Sequence, residues 1–324
     1  MLLAFFGIMV IFFGFGVIWV AVCYLVSIAI ANIISFVILY RNIIKPRFSL
    51  DIRFIKDTLL ASAPIVFISL FTSIGDKIST ILLGNISGNY DVGLFGSVYK
   101  LYEAFFFLPG SIMVVFFPLF SQYYPQQMDN FKRLYRIVFK ITISIVLPVS
   151  GGIIMLSPQI IVLFFGQEYL PATGVLRFLF IAFIFVCMNG ILYYILISTG
   201  KQRLILVGSA ITFLINITLC LLLFPSYGYK SSGVIVAIST MLLFCFNYVF
   251  VSKAIGTINI LSLSYKQIFS TFIMMAMLFL VPIENIFLLI LLGGMSYVGS
   301  MILFKGVTMG EINYIKEKIF APSR

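Results

Sequence analysis

The sequence lacks most of the residues that build enzyme active sites and metal centres. Its 324 residues include no histidine and only ten acidic residues. Four cysteines lie singly within apolar stretches, without a CxxC spacing, at Cys23, Cys187, Cys220 and Cys245. No metal-ligand pattern and no histidine-based acid–base site can be assembled from this set. We therefore predict neither a metal nor a cofactor.

Charge is scarce as well, and apolar residues are abundant. Charged residues make up 10% of the chain, 62% is hydrophobic, and the mean hydropathy is +1.18. Apolar runs of 18 or more residues recur along the whole length, which is more than the core of a soluble protein can hold. The sequence therefore predicts an all-α, polytopic transmembrane helical bundle.

We predict about ten spans, separated by connections that contain glycine or proline. The apolar run at residues 2–40 follows no basic segment and shows no cleavage pattern, so we do not interpret it as a signal peptide. Because the chain begins inside this run, we expect that helices preceding it are missing. The predicted spans are 2–18, 20–40, 58–84, 92–118, 137–165, 173–199, 204–224, 232–252, 267–282 and 285–304.

The basic residues are distributed on one side of this topology. A net charge of +11 raises nucleic acid as a possible partner, but the placement of the charges argues against it. Seventeen of the 21 Lys and Arg lie in alternate connections and the C-terminal tail, one lies in the opposite set, and three lie within spans. The positive-inside rule accounts for this pattern with both termini in the cytoplasm. The basic segments are 41–56, 121–136 with Lys140, 200–203, 252–267 and the tail from Lys305.

Four charged residues stand out because they lie within predicted spans. Asp76 and Lys77 are adjacent in the third span, and Lys100 and Glu103 follow in the fourth. A charge at the centre of a bilayer costs at least ~3 kcal/mol on insertion scales. On a helical wheel, hydroxyl-bearing residues share the face of Asp76, and small or polar residues share the face of Lys100. The first set is Ser62, Ser69, Thr72, Ser73, Ser79 and Thr80; the second is Gly93, Gly96, Ser97, Glu103, Ala104 and Ser111.

These charges are also predicted to lie at one depth. Asp76 and Lys100 are each twelve residues from Gly88, so an antiparallel hairpin places them side by side. We predict pairing of Asp76 with Lys100 across the helices, and of Lys100 with Glu103 at i,i+3. The cluster is either a buried lock for the hairpin or the wall of a water-filled cavity, and the polar stripes favour the cavity. Arg177 is the third cation within a span, where it either snorkels to the interface or joins such a site.

Prolines are predicted to interrupt two spans. Pro109-Gly110 lies in the fourth span, and Pro148 with Gly151-Gly152 lies in the fifth. Each proline removes a backbone hydrogen bond, and kinked helices are common where transporters bend.

Several stretches together resemble a known family. Residues 75–122, GDKISTILLGNISGNYDVGLFGSVYKLYEAFFFLPGSIMVVFFPLFSQ, resemble the central signature of bacterial polysaccharide-export flippases. These belong to the multidrug/oligosaccharidyl-lipid/polysaccharide exporter superfamily. The resemblance continues, in the order of the family, through FGQEYLPATGVLRFL (165–179), STGKQRL (198–204) and NITLCLLLFPSYGYKSSGVIVAIST (216–240).

The resemblance implies a MATE-like exporter architecture with an incomplete first lobe. Family members have two lobes around a central cavity, and about four N-terminal helices of that pattern are not present in this sequence. The implied division is two helices of the first lobe (1–40), a cytoplasmic linker (41–56), a six-helix lobe (57–252), two additional helices (253–304) and a cytoplasmic tail (305–324).

The resemblance also implies a function. A flippase of this family moves a polyprenyl-diphosphate-linked oligosaccharide across the bacterial cytoplasmic membrane, for O-antigen or capsule assembly. Lys77, Lys100 and Arg177 would bind the diphosphate, and Asp76 and Glu103 would serve in coupling or in the charge cluster. The implied partners are the lipid-linked oligosaccharide, membrane lipids and polysaccharide assembly proteins, with no nucleic acid.

Three alternatives remain open at this point. The chain is a truncated or split exporter lobe, a multidrug antiporter of the same superfamily, or a membrane oligosaccharide polymerase or transferase. The enzyme alternative has the least support, because the outer connections are short and contain only Asp91, Glu168 and Glu284 as acids.

The topology yields a direct prediction. A reporter enzyme fused after Arg324 should be active in the cytoplasm, because the tail from Lys305 carries four of the basic residues. Comparing a cytoplasmic and an exported reporter at this position measures the orientation. Activity of the exported reporter alone would contradict the predicted topology.

Overall fold

The computed structural model describes residues 17–42, 51–281, 285–306 and 310. Over these residues the regular structure is helical, with two 3₁₀ segments at Gln167–Ala172 and Gly228–Ser231. We number the α-helices in chain order: α1 Val17–Asn42, α2 Ile52–Ser87, α3 Asn89–Ala104, α4 Phe107–Tyr123, α5 Met128–Phe165, α6 Thr173–Ser198, α7 Gln202–Tyr227, α8 Ser232–Ile255, α9 Ile260–Leu280 and α10 Ile286–Leu303.

The helices have the length and composition of membrane spans. Eight stretches of the described chain are long and apolar enough to cross a bilayer, and one of them, Gln202–Ile255, contains both α7 and α8. Helices suit this setting because hydrocarbon offers no partner to backbone N–H and C=O groups. The prediction of an all-α, multi-pass membrane bundle is confirmed. Nine predicted spans coincide with described helices, whereas the predicted span at 2–18 lies almost wholly outside the described residues.

The chain divides into two compact units, Met1–Leu60 and Ala61–Arg324. In the first unit, helix α1 exposes large apolar side chains around most of its circumference. A helix that is apolar on all sides is typical of a membrane span. The second unit contains α3 to α10 and most of α2. The finer division predicted from the sequence, with boundaries at 57, 252 and 304, stays a prediction.

Helix α6 lies at the centre of the second unit. It packs on α8, α5, α4 and α3, and it is buried along most of its length. One cluster of buried side chains surrounds Leu83, Phe180 and Phe224, and a second surrounds Phe139 and Leu192. Because lipid is as apolar as these side chains, close packing rather than removal from water holds the helices together.

The predicted fourth span is two helices rather than one. Helix α3 ends at Ala104, and α4 begins at Phe107. Pro109 has no N–H to give to the carbonyl of Phe105, which instead accepts from the N–H of Leu108 at 3.0 Å. The helix therefore breaks one turn before the proline that was predicted to interrupt it.

In α5, by contrast, Pro148 removes one backbone hydrogen bond but does not end the helix. Helix α5 continues through both Pro148 and Pro158. Each proline frees a carbonyl four residues earlier, and a neighbouring helix supplies a side-chain donor. Tyr297 Oη donates to the carbonyl of Ser144 at 2.9 Å, and Arg177 Nε donates to the carbonyl of Ile154 at 3.3 Å.

The contact between α6 and α8 depends on a glycine. A Cβ atom on Gly233, the second residue of α8, would lie 2.7 Å from the carbonyl oxygen of Val175 and 2.9 Å from Cβ of Phe178. We expect Gly233→Ala to lower the free energy of unfolding by about 1–3 kcal/mol, because the backbones must separate. The midpoint of thermal unfolding in detergent measures this.

Gly174 provides the matched control, since it is the second residue of α6 and a Cβ atom added to it would meet no atom within 4 Å. Gly174→Ala should leave the midpoint unchanged or raise it slightly, because alanine favours the helix. An equal loss in both variants would mean that the close α6–α8 contact is not the cause.

Candidate functional site

The charged residues predicted to line a cavity lie on α2 and α3. Lys77 is exposed on α2, and Lys100 on α3 exposes 72% of its side chain. Lys100 Nζ donates a hydrogen bond to Oε2 of Glu103 at 2.6 Å, as their spacing predicted. The side chain of Asp76 lies outside the described residues, so its pairing with Lys100 stays a prediction.

Small, hydroxyl-bearing and apolar residues are exposed beside these charges, with Ile74 and Ile81 one turn from Lys77 on α2. Ser69 and Ser73 are exposed on α2 with Lys77, and Gly93 is exposed on α3 with Lys100. A Cβ atom on Gly93 would meet no other atom within 4 Å, so the space beside it is open. We call Ser69, Ser73, Lys77, Gly93 and Lys100 the charged face. Because lipid contact with lysine is costly, this face needs water or another protein surface opposite it.

Arg177 lies elsewhere, at the junction of α6 with α5. Its Nε atom donates to Oγ of Ser157 at 2.9 Å as well as to the carbonyl that Pro158 frees at Ile154. Ser157 Oγ donates to the same carbonyl at 3.0 Å, so Arg177 shares the role of the missing backbone donor and joins the two helices. The structure does not bring Arg177 into hydrogen-bond contact with Lys77, Lys100 or Glu103, and its predicted substrate role stays a prediction.

A second polar feature lies inside the helix bundle. A cavity of about 270 Å³, partly open to the surface, lies between α2, α3, α6, α7 and α8. Aromatic residues of α3 form one wall, and hydroxyl and amide groups of the other helices project into it. The described polar residues that line it, other than tyrosine, are Thr72, Ser79, Asn189, Ser209, Thr212, Asn216, Ser239 and Thr240.

A hydrogen-bond chain crosses this cavity from helix to helix. Ser79 Oγ on α2 donates to Oδ1 of Asn216 on α7 at 2.9 Å. Asn216 Nδ2 in turn donates to Oγ of Ser239 on α8 at 3.2 Å. Three helices are thus linked by one amide, which acts as both acceptor and donor.

An adjoining cavity of about 260 Å³ extends the polar interior. It shares Thr72, Asn189 and Ser209 with the first cavity and continues to Asn247 on α8. Asn247 Nδ2 donates to Oδ1 of Asn189 at 2.6 Å. We call the two cavities together the polar cavity.

Sequence patterns indicated only one wall of the polar cavity. Thr72 and Ser79 belong to the predicted stripe of α2, but the amides on α6, α7 and α8 were missed. A signal was present, since Asn189, Asn216 and Asn247 each lie within an apolar span, where polar side chains are costly and usually meet a partner.

The lining of the polar cavity limits its chemistry. Its described groups are neutral, so they can hold hydrogen-bonding molecules but provide no formal charge. Within the part of the chain that the structure describes, no three His, Cys, Asp or Glu residues are grouped to hold a metal ion. The two lysines of the charged face are not among the described residues that line the polar cavity, whereas Ser69 belongs to both.

Two family models match the sequence. One, described as polysaccharide biosynthesis protein, matches residues 1–124, and the other, MatE, matches residues 64–222. The two matches overlap on α2 to α4, where the charged face lies.

Individual proteins are similar as well. The capsular polysaccharide biosynthesis protein CapF of Staphylococcus aureus is 26% identical over 242 residues, which are 71% of this chain and 60% of that protein. Lipid II flippase MurJ, in an inward closed conformation, superposes with a TM-score of 0.64 at 18% identity, over 90% of this chain and 62% of that one. This likeness confirms the predicted MATE-like fold. The chain spans about three fifths of the length of both relatives.

A substitution of Asn216, the central residue of the hydrogen-bond chain in the polar cavity, tests whether this chain stabilises the protein. Asn216→Ala removes the hydrogen bonds that join Ser79 and Ser239 across the helices. Ser79 Oγ keeps its bond to the carbonyl of Gly75 at 2.9 Å, so we expect the free energy of unfolding to fall by about 1–2 kcal/mol. Thermal unfolding in detergent measures the change. Thr218→Ala is the control, because the Thr218 hydroxyl is exposed on the same helix and donates to the carbonyl of Leu214. Equal stability of the two variants would contradict a structural role for the chain.

Proposed function

We propose that this chain is a lobe of a flippase for lipid-linked oligosaccharide, of the multidrug/oligosaccharidyl-lipid/polysaccharide exporter superfamily. The matches to the polysaccharide biosynthesis and MatE models support this assignment, as does the similarity to CapF and MurJ. These families and the similar structure are transporters rather than enzymes. The proposed substrate is a polyprenyl-diphosphate-linked oligosaccharide destined for a surface polysaccharide.

The charged face is the observation that carries the proposal. Lys77 and Lys100 are exposed within stretches of the chain that are long and apolar enough to cross a membrane. A lysine inside such a stretch cannot face lipid without a large free-energy cost. The exposed lysines therefore suit the wall of a wet passage.

The chemistry of the face fits an anionic headgroup. A diphosphate is recognised by charge-assisted hydrogen bonds from lysine and arginine. We propose that Lys77 and Lys100 contact the diphosphate, and that Glu103 holds Lys100 in position between transport events. Asp76, the adjacent acid in the sequence, is the proposed fourth member of this cluster. For Arg177, its bonds to α5 support a role in joining helices more than one in substrate binding.

The proposed passage needs a second wall. The chain spans about three fifths of the relatives it matches, and a two-lobed exporter encloses its cavity between the lobes. We propose that the six-helix lobe at 57–252 supplies one wall and that another helical bundle supplies the other.

We also propose an orientation in the bacterial cytoplasmic membrane. Seventeen of the 21 Lys and Arg fall on one side of the proposed topology, which supports both termini in the cytoplasm. In that orientation, the α2–α3 and α7–α8 turns lie on the outer side.

A reversed ion pair tests the proposed role of the charged face. The double variant Lys100→Glu with Glu103→Lys keeps an i,i+3 pair but moves the positive charge by about one helical turn. We expect normal abundance in the membrane and a loss of oligosaccharide export of about tenfold or more, the size expected from losing one charged hydrogen bond. Export is measured per amount of protein, in cells that depend on this protein.

Single substitutions complete the experiment. Lys77→Gln should reduce export by a similar factor. Lys230 is an exposed lysine in the α7–α8 turn, and the control substitution Lys230→Gln should leave export unchanged. If the double variant with the reversed ion pair exports oligosaccharide normally, Lys100 serves only to stabilise the helix, and the proposed contact with substrate is wrong.

A further inference from the structure

The polar cavity contains buried polar atoms without a protein partner. Thr212 is 8% exposed and Asn247 is 1% exposed, and neither Oγ1 of Thr212 nor Oδ1 of Asn247 has a hydrogen-bond partner among the described residues. Both residues line the cavity. Native proteins satisfy nearly all such atoms, and water does so where the protein does not.

The cavity is large enough for water, although neighbouring atoms cover these two oxygens in the structure. A water molecule takes about 30 Å³ in the liquid, and each of the two adjoining cavities is several times larger. Its lining supplies hydroxyl and amide groups from four helices, so a water molecule there can find two or more partners. Apolar side chains make up more of the lining area than these polar groups, which are spread over α2, α6, α7 and α8.

The cavity is closed at one end by apolar packing. Leu83 on α2, Leu94 on α3 and Phe224 on α7 are almost fully buried beyond it. Along each helix, the residue lies between the part that lines the cavity and a turn. For Leu83 and Leu94 this is the α2–α3 turn, and for Phe224 it is the α7–α8 turn. We call this the turn end, because the α2–α3 turn at Gly88 and the α7–α8 turn at Gly228 both lie there.

A carboxylate joins these two turns. Oδ2 of Asp91, in the first turn of α3, accepts a hydrogen bond from the backbone N–H of Tyr229 at 2.9 Å. Gly228 has φ of 52° and lies directly against the same carboxylate, where a Cβ atom would clash with it. Ser87 Oγ adds a longer bond to the carbonyl of Phe224 at 3.4 Å. We call this set of contacts the Asp91 clasp.

The cavity extends away from the clasp, toward the other end of the bundle. The second of its two parts is lined by Ile68, Ile205 and Asn247. Ile205 is only three residues from the beginning of α7 at Gln202. The polar interior thus reaches near one end of the helices, and packing and the clasp close the opposite end.

We infer that the polar cavity is a water-filled compartment within the lobe, and that the Asp91 clasp keeps it closed at the turn end. Helix α2 is held to α7 by few contacts beside the cavity, chiefly the Ser79–Asn216 hydrogen bond and the ring contact of Phe71 with Phe213. Release of the clasp would free the α2–α3 hairpin to separate from the α7–α8 hairpin. Water would then enter the compartment from the turn end.

Thiol labelling tests both parts of this inference. In a variant with its four cysteines replaced by alanine, Thr212→Cys places one thiol in the cavity. Because the thiolate is the reactive form, a small methanethiosulfonate reagent should modify it only if water reaches the site. We expect a membrane-permeant reagent to modify Thr212→Cys in the full chain in native membranes. A thiol that reacts only after denaturation would overturn the water-filled compartment.

The clasp is tested in the same background with a membrane-impermeant reagent applied to the turn end. We expect little modification of Thr212→Cys, and at least a tenfold faster reaction when Asp91→Ala is added. Asp91→Asn, which keeps an acceptor oxygen, should lie between the two. If Asp91→Ala leaves the rate unchanged while the protein elutes normally on size-exclusion chromatography, the clasp does not close the compartment. If Asp91→Ala does not fold, the rate of modification of Thr212→Cys is measured with Asp91→Asn instead. A rate no higher than with Asp91 intact would mean that the clasp does not close the compartment.

Glu168 supplies two controls. It is exposed in the 3₁₀ segment at Gln167–Ala172, which contacts α3 at the turn end. Glu168→Ala removes an acid from this end without touching the clasp and should leave the rate unchanged. Glu168→Cys reports on which side of the membrane the turn end lies, so an error in the proposed topology is detected separately from a failure of the clasp.

Discussion

Backbone hydrogen bonding in a medium without water is the constraint that shapes this structure most. Several prolines remove donors within the described helices, and the carbonyls freed by Pro109, Pro148 and Pro158 are satisfied in two ways. The carbonyl of Phe105 takes a tighter local bond and the helix breaks, whereas those of Ser144 and Ile154 take Tyr297 and Arg177 from neighbouring helices. The same requirement therefore produces a break in one helix and interhelical contacts in another.

The cost of polar groups in lipid also separates two polar regions of the lobe. The charged face exposes Lys77 and Lys100 on α2 and α3, and the polar cavity buries neutral hydroxyls and amides between α2 and the α6–α8 helices. Helix α2 contributes to both, with Lys77 on one side and Ser79 on another. A movement of this helix would therefore change both sites together, which suits a lobe whose substrate site and internal hydration are coupled.

Much of the fold and part of the site followed from local patterns. Span positions come from runs of apolar residues, and the Lys100–Glu103 pair comes from i,i+3 spacing within one helix. The polar stripe of α2 correctly indicated Ser79 as inward-facing. The amide chain was not predictable, because Asn216 and Ser239 come from separate helices whose rotation about their axes no local pattern fixes. The function of Arg177 as a donor to Ile154 likewise required knowing that α5 and α6 pack side by side.

Local sequence was enough to predict a multi-pass helical membrane protein, the positions of most of its helices, and a resemblance to a family of exporters. Hydrophobicity and backbone hydrogen bonding act along the chain, so they are readable from it. The packing of helices, in contrast, determines that Pro148 leaves α5 continuous, that Asp91 meets Gly228 and Tyr229, and that neutral amides line a cavity. Each of these depends on which faces of distant helices come together. In lipid that choice is made by close packing and side-chain hydrogen bonds between helices, which no single segment encodes.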